Sequence, residues 1–135
     1  PISSRVTVDR VALALLVAVL TLACDGPVGP IPGGALRGDA KDCPSDWSAF
    51  PSEREVELEV SPSRPRSVRI WNVVLAGRLY VPGDFLTPIK TWPQRAVADP
   101  HVKLRIAGEL FRCDAIRVED GATIEALRRE AARKY

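Results

Sequence analysis

Two stretches of strict alternation constrain this chain more than any other feature. Over Glu53 to Val60, Val56, Leu58 and Val60 fall on one side while Glu55, Glu57 and Glu59 fall on the other. His101 to Ile106 repeats the pattern, with Val102, Leu104 and Ile106 against His101, Lys103 and Arg105. A period of two is the mark of a strand with one face in a core and one in water. A helix cannot segregate these residues, so the fold must contain a half-exposed sheet.

The sequence around these strands extends the sheet. Pro62, Ser63, Arg64 and Pro65 make a turn, and Ser67 to Leu75 follows with β-branched and aromatic residues. Its apolar residues occupy both parities towards the end, which predicts a central strand covered on two sides. Ala76-Gly77 is a tight hairpin into Arg78 to Val81, and Ala107-Gly108 is a second one into Glu109 to Val118. Between the hairpins, Pro82, Gly83, Asp84 and Pro88 mark a loop, and Ile89 to Ala98 predicts a short helix entered at Pro93. Asp99-Pro100 ends it. Asp120 can cap a last helix from about Ala122 to Lys134, with Ile124, Leu127 and Ala131 on one stripe. These elements predict an α+β fold, mainly β, shaped as a small, partly closed antiparallel barrel with a short internal helix and a C-terminal helix.

The 135 residues allow one ordinary domain, and 46% hydrophobic with 27% charged residues are globular proportions. A formal charge of +2 argues against a nucleic-acid partner, and one histidine cannot build a multi-His metal site. The N-terminus has a different character. Arg5 and Arg10 precede an apolar run from Val11 to Ala23, which has the layout of a secretory signal. About 13 residues at 1.5 Å each span roughly 20 Å, short of the roughly 30 Å hydrocarbon core of a bilayer. The run ends Leu20-Thr21-Leu22-Ala23-Cys24, and a small residue followed by Cys resembles the bacterial lipobox, in which that Cys is acylated. The resemblance implies a signal peptide over 1–23 and lipid attachment at Cys24, with the protein held in the bacterial cell envelope. Residues 24–42, rich in Gly and Pro, are then expected to act as a tether, and the folded domain to span 43–135.

With Cys24 assigned to lipid, Cys43 and Cys113 remain, and an even count in an exported chain predicts a disulfide. No Cys-x-x-Cys spacing supports a redox or metal role, so no metal ligand is assigned.

The order of short motifs in the domain resembles the split β-barrel superfamily. These are Val68-Arg69-Ile70-Trp71-Asn72-Val73-Val74, Gly77-Arg78-Leu79-Tyr80-Val81, Lys90-Thr91-Trp92, Asp99-Pro100-His101-Val102-Lys103-Leu104-Arg105-Ile106, and Arg117-Val118-Glu119-Asp120 before a helix ending Lys134-Tyr135. That superfamily includes pyridoxamine-phosphate-oxidase-like flavoproteins and deazaflavin-dependent nitroreductase-like proteins. The resemblance implies a homodimer with FMN or deazaflavin phosphates held at its cleft, and a further strand beyond the helix. By position, it points to Arg66, Lys90, Thr91, Trp92 and Arg95 as cofactor-binding residues.

Lys90, Thr91, Trp92 and Arg95 combine cations, a hydroxyl and an aromatic, chemistry suited to a phosphate and a ring. The plainer account puts Trp92 in the core and the cations in solvent, since no Gly-rich phosphate loop accompanies them. Trp71 reads as a packing residue, Asp84 and Asp99 as turn residues, and His101 lacks an evident acid partner. No catalytic constellation emerges. Two functions follow: an envelope binding or interaction module, or a flavin- or deazaflavin-dependent oxidoreductase. Flavin is made in the cytosol and Sec-type export carries unfolded chains, which favours the module.

Overall fold

A computed structural model describes residues 25–50, 53–83 and 91–135. The strands are β1 (Lys41–Asp42), β2 (Glu55–Val60), β3 (Arg66–Trp71), β4 (Val73–Leu75), β5 (Arg78–Tyr80), β6 (His101–Ile106) and β7 (Glu109–Asp114). Helix α1 (Trp92–Ala98) separates β5 from β6, and α2 (Gly121–Lys134) ends the chain. The fold is α+β, with a five-stranded sheet ordered β1-β7-β6-β2-β3 and a separate β4-β5 hairpin. The sheet is mixed rather than wholly antiparallel, because β1 runs parallel to β7. No closed barrel forms among the described residues.

The alternating strands sit at the centre, as their pattern requires. Leu58 pairs with Val68 on one side and with Leu104 on the other, and Leu104 pairs with Phe111. Residues in register point to the same side of a sheet, so these side chains share one apolar face. Trp47, Trp92 and Ala96 cover it, with Trp47 edge-on to Phe111 at 5.3 Å between ring centroids. Both hairpins turn on Ala-Gly with positive φ at each residue, 50° and 76° at Ala76-Gly77 and 50° and 77° at Ala107-Gly108. Turns of this left-handed kind match the twist of the strands they join.

The expected strand Ser67 to Leu75 divides at Asn72. This residue is fully buried, its amide N–H donates to the Arg54 carbonyl (3.3 Å) and its Nδ2 to the Glu53 carbonyl (3.1 Å). The chain therefore leaves the main sheet after β3, which is an edge strand and not a central one. Apolar residues on both parities reflect two strands in two sheets. β7 likewise stops at Asp114 rather than Val118, because its partner runs out. His101 pairs with Asp114, Ala115 donates to the Pro100 carbonyl (2.8 Å), and Pro100 has no N–H to return.

The segment expected to be a tether lies against the sheet from Asp25 onward. Gly33 and Ser67 exchange backbone hydrogen bonds, both 2.9 Å, along the outer edge of β3. Leu36 is 1% exposed, and its N–H donates to the Glu59 carboxylate at 2.6 Å. This contact buries Glu59, a residue whose parity alone would leave it in water. A Cβ at Gly33 would stand 1.9 Å from the Gly26 carbonyl oxygen, so the two limbs of the segment approach each other only because side chains are missing. Folding thus begins well before Asp42, and β1 belongs to the sheet.

The cysteine expectation holds. Cys43 and Cys113 form a disulfide with Cα atoms 4.9 Å apart, one step beyond the last β1–β7 pair. A disulfide is consistent with an extracytoplasmic location. Among the described residues no helix is long and apolar enough to cross a membrane. The lipid site assigned to Cys24 falls outside the described residues.

Candidate anion-binding groove

Three arginines from three elements meet at one end of the sheet. Arg64 sits in the β2–β3 turn, where its N–H closes onto the Ser61 carbonyl (2.8 Å). Arg66 opens β3 opposite Val60. Arg95 projects from the flank of α1, whose other side buries Trp92 and Ala96, and its Nη1 donates to the Arg64 carbonyl at 3.4 Å. With Gly33 and Pro65 these side chains line an open, shallow groove.

The other three arginines of the five-stranded sheet are ion-paired. Glu57 holds Arg69 at 3.1 Å and Arg105 at 2.9 Å, Arg105 also holds Asp25 at 2.8 Å, and Arg112 holds Asp42 at 3.1 Å. Among the described residues no carboxylate lies within ion-pairing distance of Arg64, Arg66 or Arg95. Arg66 Nε is buried with no hydrogen-bond partner there. A buried guanidinium nitrogen without an acceptor is costly, and three converging cations that pair with no described carboxylate favour a bound anion in the groove.

The structure brings Arg66 and Arg95 together, as two of the five residues proposed for a cofactor. Trp92 is 7% exposed and packs into the core, so its ring does not face the groove, and its Nε1 lacks a partner among the described residues. Thr91 precedes α1 at the N-cap position, without a capping hydrogen bond from its side chain. Lys90 lies outside the described residues. Arg64 was missed by sequence reasoning, which took Pro62 to Pro65 as a turn and nothing more. The signal available was Arg64-Pro65-Arg66, two cations held apart by a rigid residue.

Two other polar clusters are structural. His101 does have an acid partner, since its Nδ1 lies 2.8 Å from Asp114 Oδ1, and Asp114 raises the imidazole pKa through that bond. Both side chains are largely exposed, with Asp99 also near His101, and the pair staples β6 to β7. At the C-terminus, Lys134 Nζ donates to the Glu53 and Asn72 carbonyls, Tyr135 Oη donates to the Arg54 carbonyl (2.6 Å), and the Tyr135 ring stacks on Trp71 at 5.2 Å. Trp71, expected in packing, is 55% exposed and finds its cover in that ring. No group of His, Cys, Asp and Glu that could hold a metal ion occurs among the described residues.

Comparison of the chain with protein family models, with curated proteins and with solved structures finds no match.

Proposed function

We propose that this protein is a lipid-anchored component of the bacterial envelope whose split-barrel-like domain is a binding module for a phosphate-bearing or similarly compact anionic group. The observation that carries this reading is the convergence of Arg64, Arg66 and Arg95 on one groove with no carboxylate to neutralise them among the described residues. The lipobox-like Cys24 and the Cys43–Cys113 disulfide support the envelope location. The split-barrel likeness rests on the order of the sequence motifs. Pairing of two copies is part of that likeness.

Calorimetric titration of the full chain with inorganic pyrophosphate and with FMN tests the reading. Saturable binding of both should weaken in Arg64→Ala, Arg66→Ala and Arg95→Ala. A lost charge-assisted contact costs roughly 1.5 to 3 kcal/mol, about one to two decades in affinity. No saturable signal with either ligand defeats the module. FMN binding that is far tighter than pyrophosphate binding, with a flavin absorbance band on protein taken from its native envelope, would instead favour the oxidoreductase.

A further inference from the structure

We infer that the anion this groove takes is the headgroup phosphate of anionic phospholipid, and that the domain lies flat on the bilayer with Val28 and Ile31 inserted. The inference rests on the anion-binding reading above and names its ligand. Val28 and Ile31 are 61% and 63% exposed. They face each other across the Gly29-Pro30 turn, held by reciprocal hydrogen bonds of 3.0 and 2.9 Å. From Gly26 to Leu36 the chain contains no charged residue, so no side-chain charge in this turn opposes transfer out of water, and the Val28 and Ile31 backbone groups are already paired with each other. Asp25, just before it, is already paired with Arg105 and accepts a hydrogen bond from the Arg37 N–H.

The same segment reaches the arginines. Gly33, which lines the groove, is two residues from Ile31, at most about 7 Å along the backbone. A soluble anion would satisfy the guanidinium groups and leave the apolar turn in water. A lipid surface satisfies both at once, phosphates meeting Arg64, Arg66 and Arg95 while the acyl boundary receives Val28, Pro30 and Ile31. The arrangement also agrees with the anchor. Residues 25–38 are bound to the sheet instead of forming a spacer, so an acyl chain on Cys24 would hold the domain against the membrane rather than away from it.

The test uses the full acylated chain in bicelles of phosphatidylcholine, with or without phosphatidylglycerol, containing a small share of spin-labelled lipid. Methyl NMR reads the relaxation of Val28 and Ile31 against Ala107, an exposed alanine in the β6–β7 turn. Val28 and Ile31 should relax several-fold faster than Ala107 in the phosphatidylglycerol bicelles. The excess should fall roughly fivefold for each arginine replaced by Ala, and should fall in high salt. Equal relaxation of the three methyls, or the same excess without phosphatidylglycerol, overturns the inference. A parallel titration with glycerol phosphate separates the two levels. If it shifts the Arg64, Arg66 and Arg95 side-chain signals while the turn stays away from lipid, the groove binds a soluble anion and the membrane inference fails. If neither ligand has an effect, both readings fail.

Discussion

Replacing Cys43 and Cys113 together by Ser isolates what the disulfide contributes. The bridge joins residues 70 apart in sequence. Closing a loop of that length removes unfolded-state entropy equivalent to roughly 4 kcal/mol in the chain-entropy treatment. A domain of this size has only about 5 to 15 kcal/mol of stability in all, so the double variant should be folded but marginal. Its native geometry should survive, because other contacts hold β1 beside β7. Lys41 Nζ lies 2.5 Å from Glu109 Oε1, and Arg112 donates to the Ala40 carbonyl at 2.6 Å. These exposed contacts add little energy, and their part here is to keep β1 in register. Urea unfolding of both proteins under identical conditions is the assay. The variant should show a lower midpoint and a larger m-value, since an uncrosslinked chain exposes more surface when unfolded. A stability loss below about 1 kcal/mol, with m unchanged, would refute the entropic reasoning and place the role of the bridge elsewhere.

Leu104 is 6% exposed at the centre of the apolar face, so Leu104→Ala should cost about 2 to 5 kcal/mol by chemical denaturation, and a cost within 0.5 kcal/mol would mean the core is elsewhere. The Asp25 carboxyl is held below its usual 3.8 chiefly by its hydrogen bond from Arg105, so its contribution is present above that value and is lost as pH falls through the folded pKa; hydrogen exchange over residues 25–38 should accelerate in acid, and Asp25→Asn should reduce the pH dependence, an unchanged dependence refuting the contribution. His101 should titrate above 6.5 by NMR because Asp114 stabilises its charged form, the pair losing its attraction as pH rises through that midpoint; a midpoint that does not move in Asp114→Asn would disprove the pairing. Deleting Lys134 and Tyr135 should free α2, which buries no residue of its own, and uncover Trp71; unchanged tryptophan emission and helical circular dichroism would show that the helix is held some other way.

The parts of the fold that local pattern determines were legible in the sequence. His101 to Ile106 is a strand over those same residues because its two faces differ at every step, and Ala107-Gly108 turns because the flanking strands must pair directly. Asp120 caps α2, accepting from the Thr123 N–H at 3.0 Å, because a short acceptor ahead of a helical stripe has few other uses. The division of Ser67 to Leu75 was not legible. Asn72 is polar, yet what decides its place is a pair of carbonyls from Glu53 and Arg54, just ahead of β2, and side chains from the end of α2. The groove was half legible for the same reason. Arg66 and Arg95 could be singled out, but Arg64 joins them only through the packing of α1 against β2 and the β2–β3 register.

Residues 25–38 show why composition alone misjudged the N-terminal segment. Glycine and proline deny a chain regular structure, and that property suits a spacer. The same lack of side chains lets backbone approach backbone, and this is how Gly33 comes to lie against Gly26 while pairing with Ser67. Two residues separate the alternatives. Leu36 is a large apolar side chain in a stretch that would otherwise leave it in water, and Glu59 is an acid on a strand flanked by neighbours on both sides. Each is unfavourable alone. Set together, the leucine closes over the sheet and its N–H satisfies the carboxylate it buries, so the segment gains by docking what it would lose by swinging free. A buried aliphatic residue within a Gly/Pro run, matched to an acid on the outer face of a sheet, is therefore the feature by which a strap can be told from a tether.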